Sequence, residues 1–343
     1  MTGPKTGPKA GASTGEAAGE PLRRAAEVLS RATTVAMACH VNPDADALGS
    51  MLGLSAFLRG RGVQTICSFP NEPLEPPRWA SLLPGIDGLV EAAEFPREPE
   101  VMVTCDCASA DRLGRLQASA DRAKELIWID HHRSNDGLGT IPLIDPDASS
   151  TCELVYRLIS VMDGDMSDET ALCLYAGLVT DTGKFQYEAT RPETLRIAAE
   201  LREHDFDHTA LVQALYEDNR REYLSLVGIA LGRMAFVPEA DLIWTYLTQS
   251  DLTGAGVHAQ ETDDLIDVIR TARDVDVAAV LKQMKDGRFK VSARSRGEHD
   301  LAAVSAAFGG GGHRLAAGYT SDHGPAETIE RLVAALRGEP VAP

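Results

Sequence analysis

Three short apolar runs in this chain each lead to side chains that could bind a cation. Residues 35–39 (VAMAC) run into His40, with Asp44 and Asp46 following; the run at 100–108 (EVMVTCDCA) contains Asp106; residues 126–129 (LIWI) deliver Asp130, His131 and His132. Runs this short and this apolar read as buried strands of an open α/β sheet. In such sheets ligands gather at the carboxyl ends of the strands. Polar groups repeated at three strand ends therefore predict one shared site.

The stretch 39–50, CHVNPDADALGS, reads as a strand-to-helix turn, because residues 47–58 have helical spacing. Two aspartates one residue apart would repel each other and be costly to bury unpaired. A bound cation removes that cost; capping of the helix by Asp44 or Asp46 is the competing reading. Asp106 also reads as a simple turn acid, with Cys105 and Cys107 expected on the opposite face of the strand. Adjacent side chains on extended backbone diverge, so one of His131 and His132 can meet a metal while the other turns toward substrate. Asp130 is placed to accept an imidazole N–H. A helix expected at 168–178 runs into Asp181, a carboxylate at the unfavourable end of the helix dipole, which calls for positive charge nearby.

The formal charge of −18 argues against a broad basic face for duplex nucleic acid, where neutralised phosphates supply the affinity. A short anionic ligand held at one electropositive point, such as a bound metal, is compatible with it. Cysteines at 39, 67, 105, 107, 152 and 173 form no CxxC pair, so buried free thiols in a reducing compartment are expected. No segment has the ~18 apolar residues of a membrane span, and no hydrophobic signal region opens the chain. These features predict a soluble cytoplasmic protein with no membrane partner.

Residues 1–20, rich in Gly, Pro, Ala, Lys and Thr, read as a disordered tail. The strand-end motifs lie in a first domain at 21–205, with further helices expected at 21–32, 149–162 and 192–204 and a strand at 63–69. A polar stretch, 206–222, is expected to link it to a second domain at 223–338, and 339–343 is a short tail. In the second domain, alternating runs at 275–285 and 288–296 flank Asp286-Gly287, a hairpin signal. Helices are expected at 223–235, 262–272 and 325–336, and strands at 242–248 and 316–319. Gly309–Gly312 alone could be a flexible linker, but here it follows a helix and meets His313. Glycine N–H groups can cradle an anion, and Arg294 could grip the same anion as a bidentate fork or be plain surface charge.

His40-x-x-x-Asp44-x-Asp46, then Asp106, then Asp130-His131-His132, then Asp181, followed by GGGGH at 309–313, resemble the motif set of the DHH/DHHA1 phosphoesterase superfamily. The likeness extends over residues 22–337, and the short two-domain layout is similar to the bacterial oligoribonucleases that also act on 3′-phosphoadenosine 5′-phosphate (PAP). This resemblance implies an α/β DHH domain with a mainly parallel sheet flanked by helices, a smaller α+β DHHA1 domain, and an active site in the cleft between them. It implies one cation on His40, Asp44 and Asp106 and a second on Asp46, Asp106, His131 and Asp181, bridged by Asp106. His132 would face the scissile phosphate, supported by Asp130, and Arg294, Gly310, Gly311, Gly312 and His313 would hold the far end of the substrate. Nitrogen and oxygen donors without thiolate point to Mn²⁺ or Mg²⁺, and the resemblance favours Mn²⁺.

The implied reactions are hydrolysis of short oligoribonucleotides, linear diadenylate (pApA) included, to mononucleotides and of PAP to AMP. Cyclic di-AMP is the alternative substrate. Relatives imply a homodimer, for which the apolar helices between 149 and 178 are candidate contacts. A RecJ-like exonuclease would need an added nucleic-acid module and a basic path. A family II pyrophosphatase has a different second domain, and a nucleotide-binding regulator without turnover would not need all of these acids.

Overall fold

The computed structural model describes residues 19–135 and 137–339. Of the tail expected at 1–20, residues 1–18 lie outside the described residues, as do 340–343, while Gly19 and Glu20 open the first helix. The chain divides into two compact units between Asp218 and Asn219.

The first unit begins with α1 (Gly19–Arg31), β1 (Thr34–Cys39), α2 (Ala45–Gly60) and β2 (Gln64–Ser68). After a long connection holding only short 3-10 turns come β3 (Val101–Cys105), α3 (Gln117–Ala120), β4 (Glu125–Asp130) and β5 (Ile141–Ile144). Four helices complete it: α4 (Thr151–Val161), α5 (Asp168–Asp181), α6 (Pro192–Leu201) and α7 (His208–Tyr216). The strands form one parallel sheet in the order β2-β1-β3-β4-β5. The order reverses between β1 and β3, and a reversal of this kind opens a ligand crevice at the carboxyl ends.

Strand register builds the site. Cys39 stands beside Cys105, and Cys105 beside Ile129, so the next residues, His40, Asp106 and Asp130, emerge side by side. Alternate strand residues such as Met37, Cys39, Val103, Cys105 and Ile129 pack into a core with α1, α2, α4 and α5. Ala36, Met102, Trp128 and Cys107 pack into a second cluster on the other face. Cys105 and Cys107 thus lie in different cores, contrary to the shared face expected for them. Asp106 between them has φ 59°, and that left-handed residue breaks the strand alternation. All six cysteines are buried and unpaired.

Helix α2 is buried along most of its length; Leu48, Met51 and Leu52 each contribute about 1.5–3 kcal/mol of apolar burial. It meets α5 through small residues, and a Cβ on Gly177 would lie only 2.7 Å from the Asp46 Cα. The apolar side chains of α4 and α5, expected to offer a dimer contact, are used in this core: Leu154, Val155, Leu158, Leu174 and Leu178 are buried. Helix α7 stands within the stretch 206–222 expected to be a linker, and strand β5 is an element to which the sequence reading assigned nothing.

The second unit holds α8 (Arg221–Gly232), β6 (Ala235–Val237), β7 (Leu242–Leu247), α9 (Gln249–Ala255) and α10 (Leu265–Ile269), followed by β8 (Val277–Gln283) and β9 (Phe289–Ser295). It ends with α11 (Leu301–Ala306), β10 (Gly311–His313), β11 (Ala316–Ser321) and α12 (Pro325–Leu336). The six strands are ordered β10-β11-β9-β8-β7-β6; β7 and β8 run parallel and the other neighbours antiparallel. The Asp286-Gly287 turn closes the β8–β9 hairpin, with Gly287 at φ 90°. Residues of α8, α9 and α10 pack on one face of the sheet and residues of α11 and α12 on the other. Among the described residues no helix is long and apolar enough to cross a membrane.

Candidate active site

His40 leaves β1 with its ring buried; Nδ1 lies 2.8 Å from the Val41 carbonyl and 2.9 Å from Arg112 Nη2. Its Nε2 is 3.3 Å from Asp106 Oδ2 and 3.8 Å from Asp44 Oδ2. Asp44 caps α2, its Oδ1 accepting from the N–H groups of Asp46 at 3.1 Å and Ala47 at 3.0 Å. Capping and site membership are therefore compatible: one oxygen holds the helix and the other faces His40.

Asp46 is 1 % exposed and enters the first turn of α4. Its Oδ2 accepts from Thr151 N at 2.6 Å and its Oδ1 from Cys152 N at 2.9 Å. Those N–H groups are among the donors a helix leaves unpaired at its start, and the dipole favours an anion there. Asp106 is held by the Thr151 hydroxyl, which donates to Oδ1 at 3.0 Å. The same Oδ1 is 3.6 Å from His131 Nε2, whereas Oδ2 faces His40.

At the end of β4, Asp130 Oδ1 accepts from the His131 N–H and lies 2.7 Å from His132 Nδ1; Oδ2 accepts from Asn135 Nδ2 at 2.7 Å. His131 turns its Nε2 toward Asp181 Oδ2 at 3.3 Å and Asp46 Oδ2 at 3.9 Å. The positive partner called for at the end of α5 is thus an imidazole. Three overlapping groups result, each with ligand atoms within 4.8 Å of one another: His40, Asp44 and Asp106; Asp46, His131 and Asp181; Asp106, His131 and His132.

Burial and crowding of like charges set the electrostatics of this cluster. Burial lowers the affinity of His40 for a proton, yet Asp106 and Asp44 outweigh it and raise its pKa to about 10. Burial, together with Asp106, raises the Asp46 carboxyl, and burial with Asp46 and Asp106 pushes Asp181 well up. Four crowded carboxylates and three imidazoles, all nitrogen and oxygen donors, suit a divalent ion and leave thiolate-seeking metals without a ligand.

In the second unit, Arg294, Gly309–Gly312 and His313 line a pocket of about 630 Å³ on the open face of β9 and β11. Two of the glycines are required by close approach. A Cβ on Gly310 would lie 2.5 Å from the Tyr319 Cβ, and one on Gly312, at φ 139°, would lie 2.6 Å from the Ala316 carbonyl oxygen. The structure thus gathers His40, Asp44, Asp46, Asp106, Asp130, His131, His132 and Asp181 at one place in the first unit, and the Arg294 and glycine residues at one place in the second. Sequence reading missed Thr151, Asn135 and Arg112. Of these only Thr151 carried a signal, since Ser150 three residues before Glu153 marks a helix start.

The DHH family, N-terminal domain, matches residues 34–178, and the DHHA1 domain matches residues 241–339. Over 322 residues the chain is 31% identical to the bifunctional oligoribonuclease and PAP phosphatase NrnA of Thermus thermophilus, covering 93% of this chain and 94% of that one. The chain belongs to the DHH/DHHA1 phosphoesterase family. The Bacillus subtilis protein of the same name is 28% identical to this DHH phosphoesterase, covering 84% of this chain and 90% of that one. A crystal structure of an exopolyphosphatase-related protein from Bacteroides fragilis superposes with a TM-score of 0.86 at 26% identity, covering 93% of this chain and 96% of that one.

Proposed function

We propose that this DHH phosphoesterase hydrolyses short oligoribonucleotides, pApA among them, to mononucleotides and converts PAP to AMP, using two divalent cations, Mn²⁺ foremost. The observation that carries the reading is the division of Asp106: Oδ2 faces His40 while Oδ1 faces His131. A carboxylate so placed suits a bridge, with His40 and Asp44 completing one cation site and Asp46, His131 and Asp181 the other. Such cations would supply charge against the phosphoryl oxygens and lower the pKa of water.

The chain's own residues do the rest. His132, held through Nδ1 by Asp130, neutralises charge growing on the phosphate. Asp130 fixes the tautomer and raises the imidazole's proton affinity against the opposing effect of burial. Water oxygen bonds to phosphorus, the bond to the sugar oxygen breaks, and that oxygen leaves with a proton as a hydroxyl. Arg294 with Gly310, Gly311, Gly312 and His313 takes the terminal phosphate of the substrate, which favours molecules with such an end.

Product analysis with Mn²⁺ on pApA, a short RNA, PAP and cyclic di-AMP tests the reading. Mononucleotides from the first two and AMP from PAP are expected. Turnover confined to cyclic di-AMP would replace the substrate assignment, and silence on all four in metal-loaded protein would refute it.

A further inference from the structure

We infer that Thr151 is the positioning residue that keeps Asp106 shared between two cation sites. The inference rests on the two-cation reading above and concerns a residue that touches no substrate.

Thr151 is fully buried, and it is the first residue of α4. Its backbone N–H donates to Asp46 Oδ2 at 2.6 Å, and its hydroxyl donates to Asp106 Oδ1 at 3.0 Å. One residue thereby fixes carboxylates that enter the site from two separate elements. The turn carrying it is itself anchored: Ser150 Oγ accepts from Glu153 N, and the buried Glu153 carboxylate accepts from Ser149, Arg191 and Thr194.

Asp106 has an unusual backbone, and its side chain could turn so that both oxygens served a single cation. The Thr151 hydroxyl opposes that rotation by holding Oδ1 on the His131 side while Oδ2 stays with His40. Hydrogen bonds to metal-ligating carboxylates of this kind are typically worth about 10–100-fold in metal affinity. Valine at 151 keeps the shape and the N–H to Asp46 but loses the hydroxyl; serine keeps both donors.

The test is calorimetric titration of Mn²⁺ into the full chain, with an electron paramagnetic resonance spectrum of the loaded protein to detect coupling between neighbouring Mn²⁺ ions. Wild type should take up two ions and show the coupled signal. Thr151→Val should bind one of them about 10–100-fold more weakly and lose the coupled signal, and Thr151→Ser should restore both. If Thr151→Val fails to fold, Thr151→Ala takes its place with the same expectations. Two ions bound with wild-type affinity and coupling in the hydroxyl-less variant would overturn the inference, as would a serine variant no better than it. A wild type that binds no Mn²⁺ would instead overturn the two-cation reading, and this inference with it.

Discussion

His132 Nδ1 lies 2.7 Å from Asp130 Oδ1, and the Asp130 carboxylate has no exposure to solvent. Its second oxygen is engaged by Asn135, so the acid cannot rotate away. The imidazole is thereby held as the Nδ1–H tautomer. Asp130→Asn would set its amide against Asn135 and remove the charge that favours the protonated ring. The expected result is a fall in kcat of about 10²–10³, the range for loss of one donor to developing charge, with Mn²⁺ stoichiometry unchanged. Steady-state kinetics on pApA beside metal analysis would check this, and loss of metal in step with activity would contradict it.

Asp106→Asn tolerates the left-handed backbone but gives up the negative charge that the two proposed cation sites would share. Wild type should gain about 2.7 kcal/mol of stability at Mn²⁺ a hundredfold above its dissociation constant. The variant should gain almost none, and hydrolysis should vanish. Thermal melts with and without Mn²⁺ read both effects.

Protons and cations should compete for this cluster. In the metal-free chain the pKa of His40 is raised to about 10, so its stabilising share is complete below the ordinary histidine value of about 6.5 and lost as pH rises through 10. Asp46 and Asp181 are also raised, so their share is complete below about pH 4 and fades as they ionise. All three effects favour the metal-free fold in acid. Mn²⁺ binding should therefore release protons and tighten with pH, and the Mn²⁺-induced rise in Tm should grow between about pH 6, where Asp46 ionises, and about pH 10, where His40 loses its proton. Titrations in buffers of different ionisation enthalpy count the protons; pH-independent binding would contradict the scheme.

Arg294→Ala removes one charge-assisted bond to a terminal phosphate, about 1.5–3 kcal/mol. KM for pApA should rise about 10–100-fold, while hydrolysis of bis(p-nitrophenyl) phosphate, which has no terminal phosphate, should hardly change. Parallel kinetics on the two substrates distinguish this from a general loss of activity.

What the sequence disclosed was what local pattern records. Apolar runs ending in His40, Asp106 and Asp130 marked the strands and the edge that carries the site, and Asp286-Gly287 marked a hairpin. Helix α12 begins at Pro325, as a proline in the first turn announces. Strand β5 was hidden because it has only four residues, one of them Pro142. The divergence of Cys105 and Cys107 was hidden because a single φ at Asp106 decides it. Thr151 escaped notice because its partner Asp46 lies 105 residues away and takes a backbone N–H, which any residue type offers.

The side-by-side emergence of His40, Asp106 and Asp130 also says where the gene can change length. The connection between β2 and β3 contains only 3-10 turns, and a loop's closing entropy grows slowly with added residues. Insertions or deletions in its largely exposed stretch 72–78 should leave these three side chains in place. One codon gained inside β3 would turn Asp106 to the wrong face of the sheet. Reading-frame-preserving indels should thus accumulate in residues 72–78 of the connection and be purged from the five residues of the strand and from the buried Ala80, Leu83, Ile86 and Phe95.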